Sequence, residues 1–377
     1  MSKRGPLGMI GTVVLVVAAE LGAFSTFEAP VSYGAASWRE GGRAAAESGA
    51  VEGTVLCFGD SQVKCGLLPP VLEKRLGGSV YNLAVVGGQA PSSLYLFERA
   101  LRAGAKPRAV VVGYYPALLG CDLRLNAGMW PELLGAAECL DLIWSARDPK
   151  LVAPVLSKAA LPSLRRREDV RGALLVANEP RQAEARAFRR NWSVNAGAHA
   201  LAVQPGFRDD ARPEPGGRRW KCKPANLRYI RRFLSVADRH GIPVFWLLPT
   251  NSPALTAARS LDGRDAAYDR FVAAIQTEFP NLTVIDPRPG LTDPSVFADV
   301  CHLDRRGAVA LSMAVADALD DSLTTRRKGR RLRLPIGSVA VSKVPAAWAT
   351  LEDVDQSADA IGDGFPRVAG VDGNVRR

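Results

Sequence analysis

Five short apolar runs, rich in β-branched residues, alternate along the chain with stretches that have helical spacing. The runs are residues 54–58, 80–86, 109–114, 244–248 and 282–285, and the stretches are 92–103, 226–240, 266–278 and 307–323. Parallel strands need long crossovers between them, usually helices, so this alternation predicts a parallel sheet. The predicted fold class is therefore α/β, a three-layer parallel sheet flanked by helices.

The alternation breaks between about residues 118 and 224, and it stops after residue 323. The break contains four tryptophans, many arginines and few strand signals, so we expect a long insertion of helices and loops. A chain of 377 residues is long enough for this arrangement. We expect one domain over 53–323, a stalk or linker over 28–52, and a basic, disordered tail over 324–377.

The first 27 residues are typical of a targeting segment. Lys3 and Arg4 precede an apolar stretch whose uncharged core, residues 9–19, is shorter than the roughly 20 residues of a spanning helix. Positive residues before an apolar core indicate export, by a cleaved signal peptide or by an uncleaved signal anchor. An anchor would attach the chain to the cell membrane and place the main domain outside the cytoplasm.

The formal net charge of +11 comes from clustered arginines and lysines. No zinc-finger spacing, RNA-binding aromatic motif or helix-turn-helix pattern accompanies them, so we expect no nucleic-acid partner. The six cysteines form no Cys-x-x-Cys pair, and we therefore expect no metal; no motif calls for a cofactor. In an exported protein, Cys121 and Cys139 are the most plausible disulfide pair.

The candidate catalytic residues lie near the two ends of the predicted domain. Gly59-Asp60-Ser61 directly follows the first apolar run, and Asp299 precedes His302 by three residues. A serine hydroxyl needs a base to take its proton, and a carboxylate fixes the tautomer of that base. Ser61 and His302 both follow strands of one parallel sheet, so they are expected on the same edge of it.

Other interpretations of these residues exist. Gly-Asp-Ser is an ordinary turn sequence, and Asp60 fits a cap of that turn, or of a helix starting near Leu67, better than a triad acid. Of the three histidines, His302 alone combines the preceding carboxylate with a following apolar residue and a helix-opening glycine. Cys301 next to it invites a Cys/His pair, but neighbours in an extended chain point to opposite sides.

These motifs resemble those of the SGNH (GDSL-type) hydrolases over about residues 53–323, with the insertion unmatched. Gly59-Asp60-Ser61 and Asp299-Val300-Cys301-His302 match the first and last blocks of that family. The resemblance implies Ser61, His302 and Asp299 as the catalytic triad. Its second block falls on Gly87, with Gly88 next to it, so the N–H groups of Ser61 and Gly87 would form the oxyanion hole.

The third block departs from the family pattern. The segment reads Val112-Gly113-Tyr114-Tyr115, without the asparagine that supplies a further oxyanion donor in the family. Asn251, after the fourth predicted strand, is a candidate substitute.

The resemblance implies a serine esterase that removes acyl groups, such as acetyl, from an ester or glycan substrate outside the cytoplasm. Two alternatives stay open. One is an O-acyltransferase on envelope polysaccharide, which would need a membrane acyl-donor partner. The other is a catalytically inactive protein of the same fold that binds polysaccharide.

Overall fold

The computed structural model describes residues 32–47, 55–161, 178–210, 220–325 and 329–336, with a few positions between 11 and 22. Apart from those positions, the expected signal segment at 1–27 lies outside the described residues. None of the described helices is both long and apolar enough to cross a lipid bilayer.

Six strands form one sheet in which every neighbouring pair is parallel. The order is β2-β1-β3-β4-β5-β6. The strands are β1 Val55–Gly59, β2 Val80–Asn82, β3 Ala109–Gly113, β4 Val244–Leu247, β5 Leu282–Asp286 and β6 Arg331–Arg333. Helices cover both faces, which confirms the predicted α/β three-layer class.

The described helices are α1 Tyr33–Glu47, α2 Ser61–Gly66, α3 Pro69–Leu76, α4 Ala90–Arg102, α5 Pro116–Gly120, α6 Trp130–Leu133, α7 Ala136–Ala146, α8 Pro149–Ala160, α9 Asn178–Val194, α10 Pro224–Arg239, α11 Pro253–Leu261, α12 Arg264–Glu278 and α13 Arg305–Thr325. Short 3₁₀ turns occur at Leu123–Asn126, Arg288–Gly290 and Pro294–Val296.

The strands divide their side chains between two cores, because successive residues of a strand point to opposite faces. Phe58 of β1 packs on one face against Phe97 of α4 and Phe233 of α10, with ring centroids 5.4 and 5.5 Å apart. The neighbouring Cys57 belongs to the other core, with Leu311 of α13. Both cores fix the sheet edge on which the candidate site lies.

Residues 33–47 do not form the stalk that was expected between 28 and 52. They form α1, whose Trp38 is fully buried and lies edge-to-face on Trp130 of α6, with centroids 4.9 Å apart. Arg39 makes an ion pair with Glu132 at 2.6 Å. This part of the segment therefore belongs to the folded domain.

The predicted start of the disordered tail, at residue 324, is also too early. Residues 331–333 form β6 beside β5, with Arg331 Nη2 donating to Asp286 Oδ2 at 2.7 Å. The domain therefore extends past residue 323 to at least residue 336. The rest of the tail lies outside the described residues.

The described parts of the 118–224 insertion are helices and loops, as expected. Trp130 and Trp192 are buried, whereas Trp144 is exposed. The expected disulfide is not formed, because all six cysteines are free.

Candidate active site

Ser61 lies at a sharp turn from β1 into α2. Gly59 has φ +139°, and a Cβ built on it would lie 2.0 Å from the Gly113 carbonyl oxygen of β3. A side chain at this position is therefore incompatible with the close approach of the two strands. The turn places Ser61 at the carboxyl edge of the sheet, nearly buried, with 8% of its surface exposed.

Asp60 caps α2, as the sequence indicated, although this helix begins at Ser61 rather than near Leu67. Its carboxylate accepts from the Gln62 N–H at 2.9 Å and from the Tyr115 N–H at 2.5 Å. Burial raises the pKa of Asp60 to about 7. Asp60 therefore ties the ends of β1 and β3 together and is not the partner of His302.

The structure brings Ser61, His302 and Asp299 together although 241 residues separate the serine from the histidine. His302 Nε2 lies 2.9 Å from Ser61 Oγ. On the other side of the ring, His302 Nδ1 lies 2.9 and 2.8 Å from the two carboxylate oxygens of Asp299. The three side chains form the continuous chain of contacts that a serine nucleophile requires.

A tight turn before α13 sets the orientation of Asp299. Its Oδ1 accepts from the backbone N–H groups of Cys301 at 2.8 Å and His302 at 2.9 Å. The Gln62 side chain, next to Ser61, donates to the Cys301 carbonyl at 3.1 Å. Carboxylate, base and nucleophile are thus linked by backbone contacts as well as by their own side chains.

The charges of the pair favour a protonated imidazole. Burial works to raise the pKa of Asp299, but His302 and the amide donors outweigh it and lower that pKa to about 2. Burial works to lower the pKa of His302, but the Asp299 charge outweighs it and raises that pKa well above the ordinary 6.5. Asp299 therefore stabilises the imidazolium that forms when the ring accepts a proton.

Gly87 lies in a turn at residues 85–88, next to the end of β1, the strand that precedes Ser61. The Val85 N–H donates to the Gly59 carbonyl at 3.1 Å, and the Gly88 N–H closes the turn on the Val85 carbonyl at 3.0 Å. Gly87 itself has φ +66°. Within the described parts of the chain its N–H has no hydrogen-bond partner.

The N–H of Ser61 is available as well. As the first residue of α2 it has no carbonyl one turn earlier in the helix to bond to. Among the described residues, neither donor named from the sequence has an acceptor at the edge of the sheet where β1 and β2 end.

No asparagine follows β3, and the backbone there is already engaged. The Tyr115 N–H bonds Asp60, and the Tyr114 carbonyl accepts from the Tyr268 hydroxyl at 3.1 Å. Asn251 after β4 is buried, and its Oδ1 accepts from Gln62 Nε2 at 3.0 Å. Its Nδ2 has no partner among the described residues, so an amide donor is available next to the residue that follows Ser61.

Cys301 lies closer to the base than the sequence argument allowed. Its Sγ is 3.5 Å from His302 Nδ1, because residues 299–302 form a turn rather than an extended chain. Burial raises the pKa of this thiol to about 11, so it stays protonated near neutral pH. The thiol faces Nδ1, whereas Nε2, the nitrogen that takes the proton in a triad, faces Ser61.

Asp299, Cys301 and His302 also present ligand atoms within 4.8 Å of one another. The carboxylate and Nδ1 already bind each other in this set. These residues belong to the turn at 299–302 that orients Asp299 against His302.

The other two histidines lie outside the triad. His240 follows the last residue of α10 and is exposed. His199 is buried against Tyr33, with ring centroids 4.9 Å apart, and its N–H donates to the Lys64 carbonyl at 2.9 Å.

A cavity of about 350 Å³ lies between α1, α9 and β2, and no triad residue lines it. Lys64 of α2 borders it and is buried, with its Nζ 4.6 Å from the Trp192 ring centroid and 2.8 Å from the Gly197 carbonyl. Burial lowers the pKa of Lys64 to about 8.

Sequence reasoning missed several residues that hold the site. Gln62 links Asn251 to the His302 turn, and Ser37, Trp38 and Asn126 bind the turn that contains Gly87. No motif marks them, because each acts through a contact that is distant in sequence.

No protein-family model matches the chain. No curated protein sequence matches it either.

Proposed function

We propose that the protein is a serine esterase of the SGNH type that hydrolyses acyl esters, such as acetyl esters, outside the cytoplasm. The observation that carries the proposal is the contact of His302 Nε2 with Ser61 Oγ at 2.9 Å, backed by Asp299 on Nδ1. The apolar segment after Lys3 and Arg4 supports export and attachment to the cell membrane.

In the proposed reaction, Ser61 Oγ attacks the ester carbonyl carbon while its proton passes to His302 Nε2. The carbonyl electron pair moves to the oxygen, which accepts hydrogen bonds from the N–H groups of Ser61 and Gly87. The intermediate then collapses and expels the alcohol, which takes the proton from His302. An acyl-enzyme on Ser61 remains, and Asp299 stays ionised throughout.

In the second half of the reaction, His302 Nε2 takes a proton from water while the water oxygen attacks the acyl carbon. The bond from that carbon to Ser61 Oγ then breaks, His302 returns its proton to Oγ, and the acid is released. If a sugar hydroxyl attacked in place of water, the acyl-enzyme would transfer its acyl group to the sugar, and the protein would act as an acyltransferase. Product analysis with an added glycan separates the two: free acid indicates hydrolysis, and an acylated glycan indicates transfer.

A fluorophosphonate probe tests the proposal directly. We expect a single adduct in the intact mass of the full chain, and peptide mapping should locate it on Ser61, because the probe reacts with activated serines. The adduct should be absent from Ser61→Ala and present in Ser260→Ala, a matched change of an exposed serine on α11. A folded wild-type protein that forms no adduct would instead favour the inactive, polysaccharide-binding alternative.

The pH dependence of hydrolysis should report the His302–Asp299 pair. A protonated imidazole cannot accept the serine proton, so kcat/KM should rise with pH through the raised pKa of His302, above 6.5. Asp299→Asn removes the charge that raises this pKa, so the inflection should move to lower pH while the rate falls by about 10⁴-fold. Hydrolysis of p-nitrophenyl acetate measures both effects, and an unmoved inflection in the variant would contradict the assignment of Asp299.

A further inference from the structure

The turn that contains Gly87 is held from outside the sheet by α1. The Val86 N–H donates to Ser37 Oγ at 2.9 Å, and Trp38 Nε1 donates to the Val86 carbonyl at 2.7 Å. Ser37 and Trp38 are both fully buried. Val86 therefore has its N–H and its carbonyl bound by two consecutive residues of one helix.

A second contact holds the next carbonyl of the same turn. Asn126 Nδ2 donates to the Gly87 carbonyl at 2.9 Å and to Gln89 Oε1 at 3.0 Å. Asn126 is buried and closes the 3₁₀ turn that precedes α6. Side chains thus bind the carbonyl oxygens on both sides of Gly87.

Peptide planarity gives the Trp38 contact a specific consequence. The Val86 carbonyl and the Gly87 N–H belong to one peptide unit, which is planar and trans, so they point in opposite directions. A donor that fixes the Val86 oxygen therefore also fixes the direction of the Gly87 N–H. The Trp38 bond at 2.7 Å thus sets the orientation of the second proposed oxyanion donor.

We propose that α1 is a positioning element for the reaction, with Trp38 aiming the Gly87 N–H at the developing oxyanion. This inference rests on the proposed function. Ser37 binds the preceding peptide unit, which does not contain the Gly87 N–H, so its contribution should be smaller. Because α1 is the first described helix after the apolar segment, the membrane-proximal part of the chain is then a part of the catalytic unit.

Two tryptophan variants test the proposal. Trp38→Phe keeps an aromatic ring in the core but removes the bond to Val86. Trp130→Phe is the matched control, because Trp130 is equally buried, packs on Trp38, and donates from Nε1 to the Leu123 carbonyl at 2.9 Å. Each variant loses one ring and one buried hydrogen bond from the same cluster. The Trp38 bond ends on the Gly87 turn itself, whereas the Trp130 bond ends on Leu123, at the other end of the 3₁₀ turn from Asn126.

Losing one oxyanion donor costs about 10²–10³-fold in kcat, so misaiming one should cost about 10- to 100-fold. We expect this fall in kcat for Trp38→Phe, with KM nearly unchanged, and a matching fall in the rate of fluorophosphonate labelling. Trp130→Phe should lower the melting temperature by a similar amount and keep kcat within about two-fold of wild type. Equal kcat values in the two variants would overturn the proposal.

Amide hydrogen exchange provides a readout that does not need activity. Exchange in the peptide covering residues 85–89 should be faster in Trp38→Phe than in Trp130→Phe, because that turn loses a direct hydrogen bond from α1 in the first variant alone. Equal exchange would overturn the positioning role. A wild-type protein that hydrolyses no ester and forms no adduct would reject the proposed function, while the exchange comparison would still decide whether Trp38 holds the turn.

Discussion

Ser61→Ala and His302→Ala should each lower kcat/KM for ester hydrolysis by about 10⁶-fold, and the double variant should lose no more than either one. The reason is that the two side chains act as one unit: without the base the hydroxyl is unactivated, and without the hydroxyl the base has no proton to take. Their 2.9 Å contact is the structural basis of this dependence. Steady-state kinetics on the purified single and double variants measures it.

His240→Ala is the matched control, since it removes an exposed imidazole at the end of α10. This variant should keep wild-type kinetics. Losses from Ser61→Ala and His302→Ala that multiply in the double variant would mean that the two residues contribute independently. Such a result would contradict a triad.

Gly59→Ala should destabilise the protein by more than about 4 kcal/mol, which is at the upper end of single-residue effects. The methyl group would lie 2.0 Å from the Gly113 carbonyl oxygen, which is backbone of the central strand β3 and cannot move away independently. The φ of +139° adds strain for any residue with a side chain. Urea unfolding followed by circular dichroism measures the loss.

Gly77→Ala separates the steric part of this effect from the conformational part. Gly77 ends α3 with φ +61°, and a Cβ there would meet nothing within 4 Å. The substitution should therefore cost only about 1–2 kcal/mol, the price of a left-handed residue with a side chain. Equal costs at the two glycines would show that the contact with β3 does not constrain the turn.

The sheet was predictable because its central strands are almost entirely apolar. The segments in β1, β3, β4 and β5 are buried on both faces, and such strands appear in sequence as continuous runs. β6 lacks this signal, since Arg331-Leu332-Arg333 alternates charge with one leucine at an edge. Its pairing depends on Asp286 and Asp269, which bind Arg331 from elsewhere in the fold.

The helix α1 was not predicted from the sequence, for a different reason. Its sequence is mostly alanine, glycine and charged residues, which is also the composition of a flexible linker. Two aromatic side chains dock it in the fold, Trp38 through packing on Trp130 and Tyr33 through packing on His199. Packing between distant residues decides the structure here, and local propensity does not reveal it.

The positions of Ser61, Asp299 and His302 followed from their order relative to the strands, because parallel strands bring their carboxyl ends to one edge. The side chains that surround these three residues could not be predicted from the order of the strands. Trp38 reaches Val86 across 48 residues and Asn126 reaches Gly87 across 39. The prediction that the Cys301 side chain points away from His302 was wrong. Asp299 accepts hydrogen bonds from the N–H groups of Cys301 and His302, so residues 299–302 form a turn and not an extended chain.

The strand β6 affects whether two copies of the protein associate through the edge of the sheet. A chain ending at residue 323 would leave the N–H and C=O groups of β5 unpaired along an exposed edge, a template for pairing with other chains and for aggregation. In the intact protein the Val284 N–H bonds the Arg330 carbonyl and the Leu334 N–H bonds the Asp286 carbonyl. Among the described residues β6 is then the edge strand, and its exposed Arg333 places a positive charge there that discourages edge-to-edge association with a second copy.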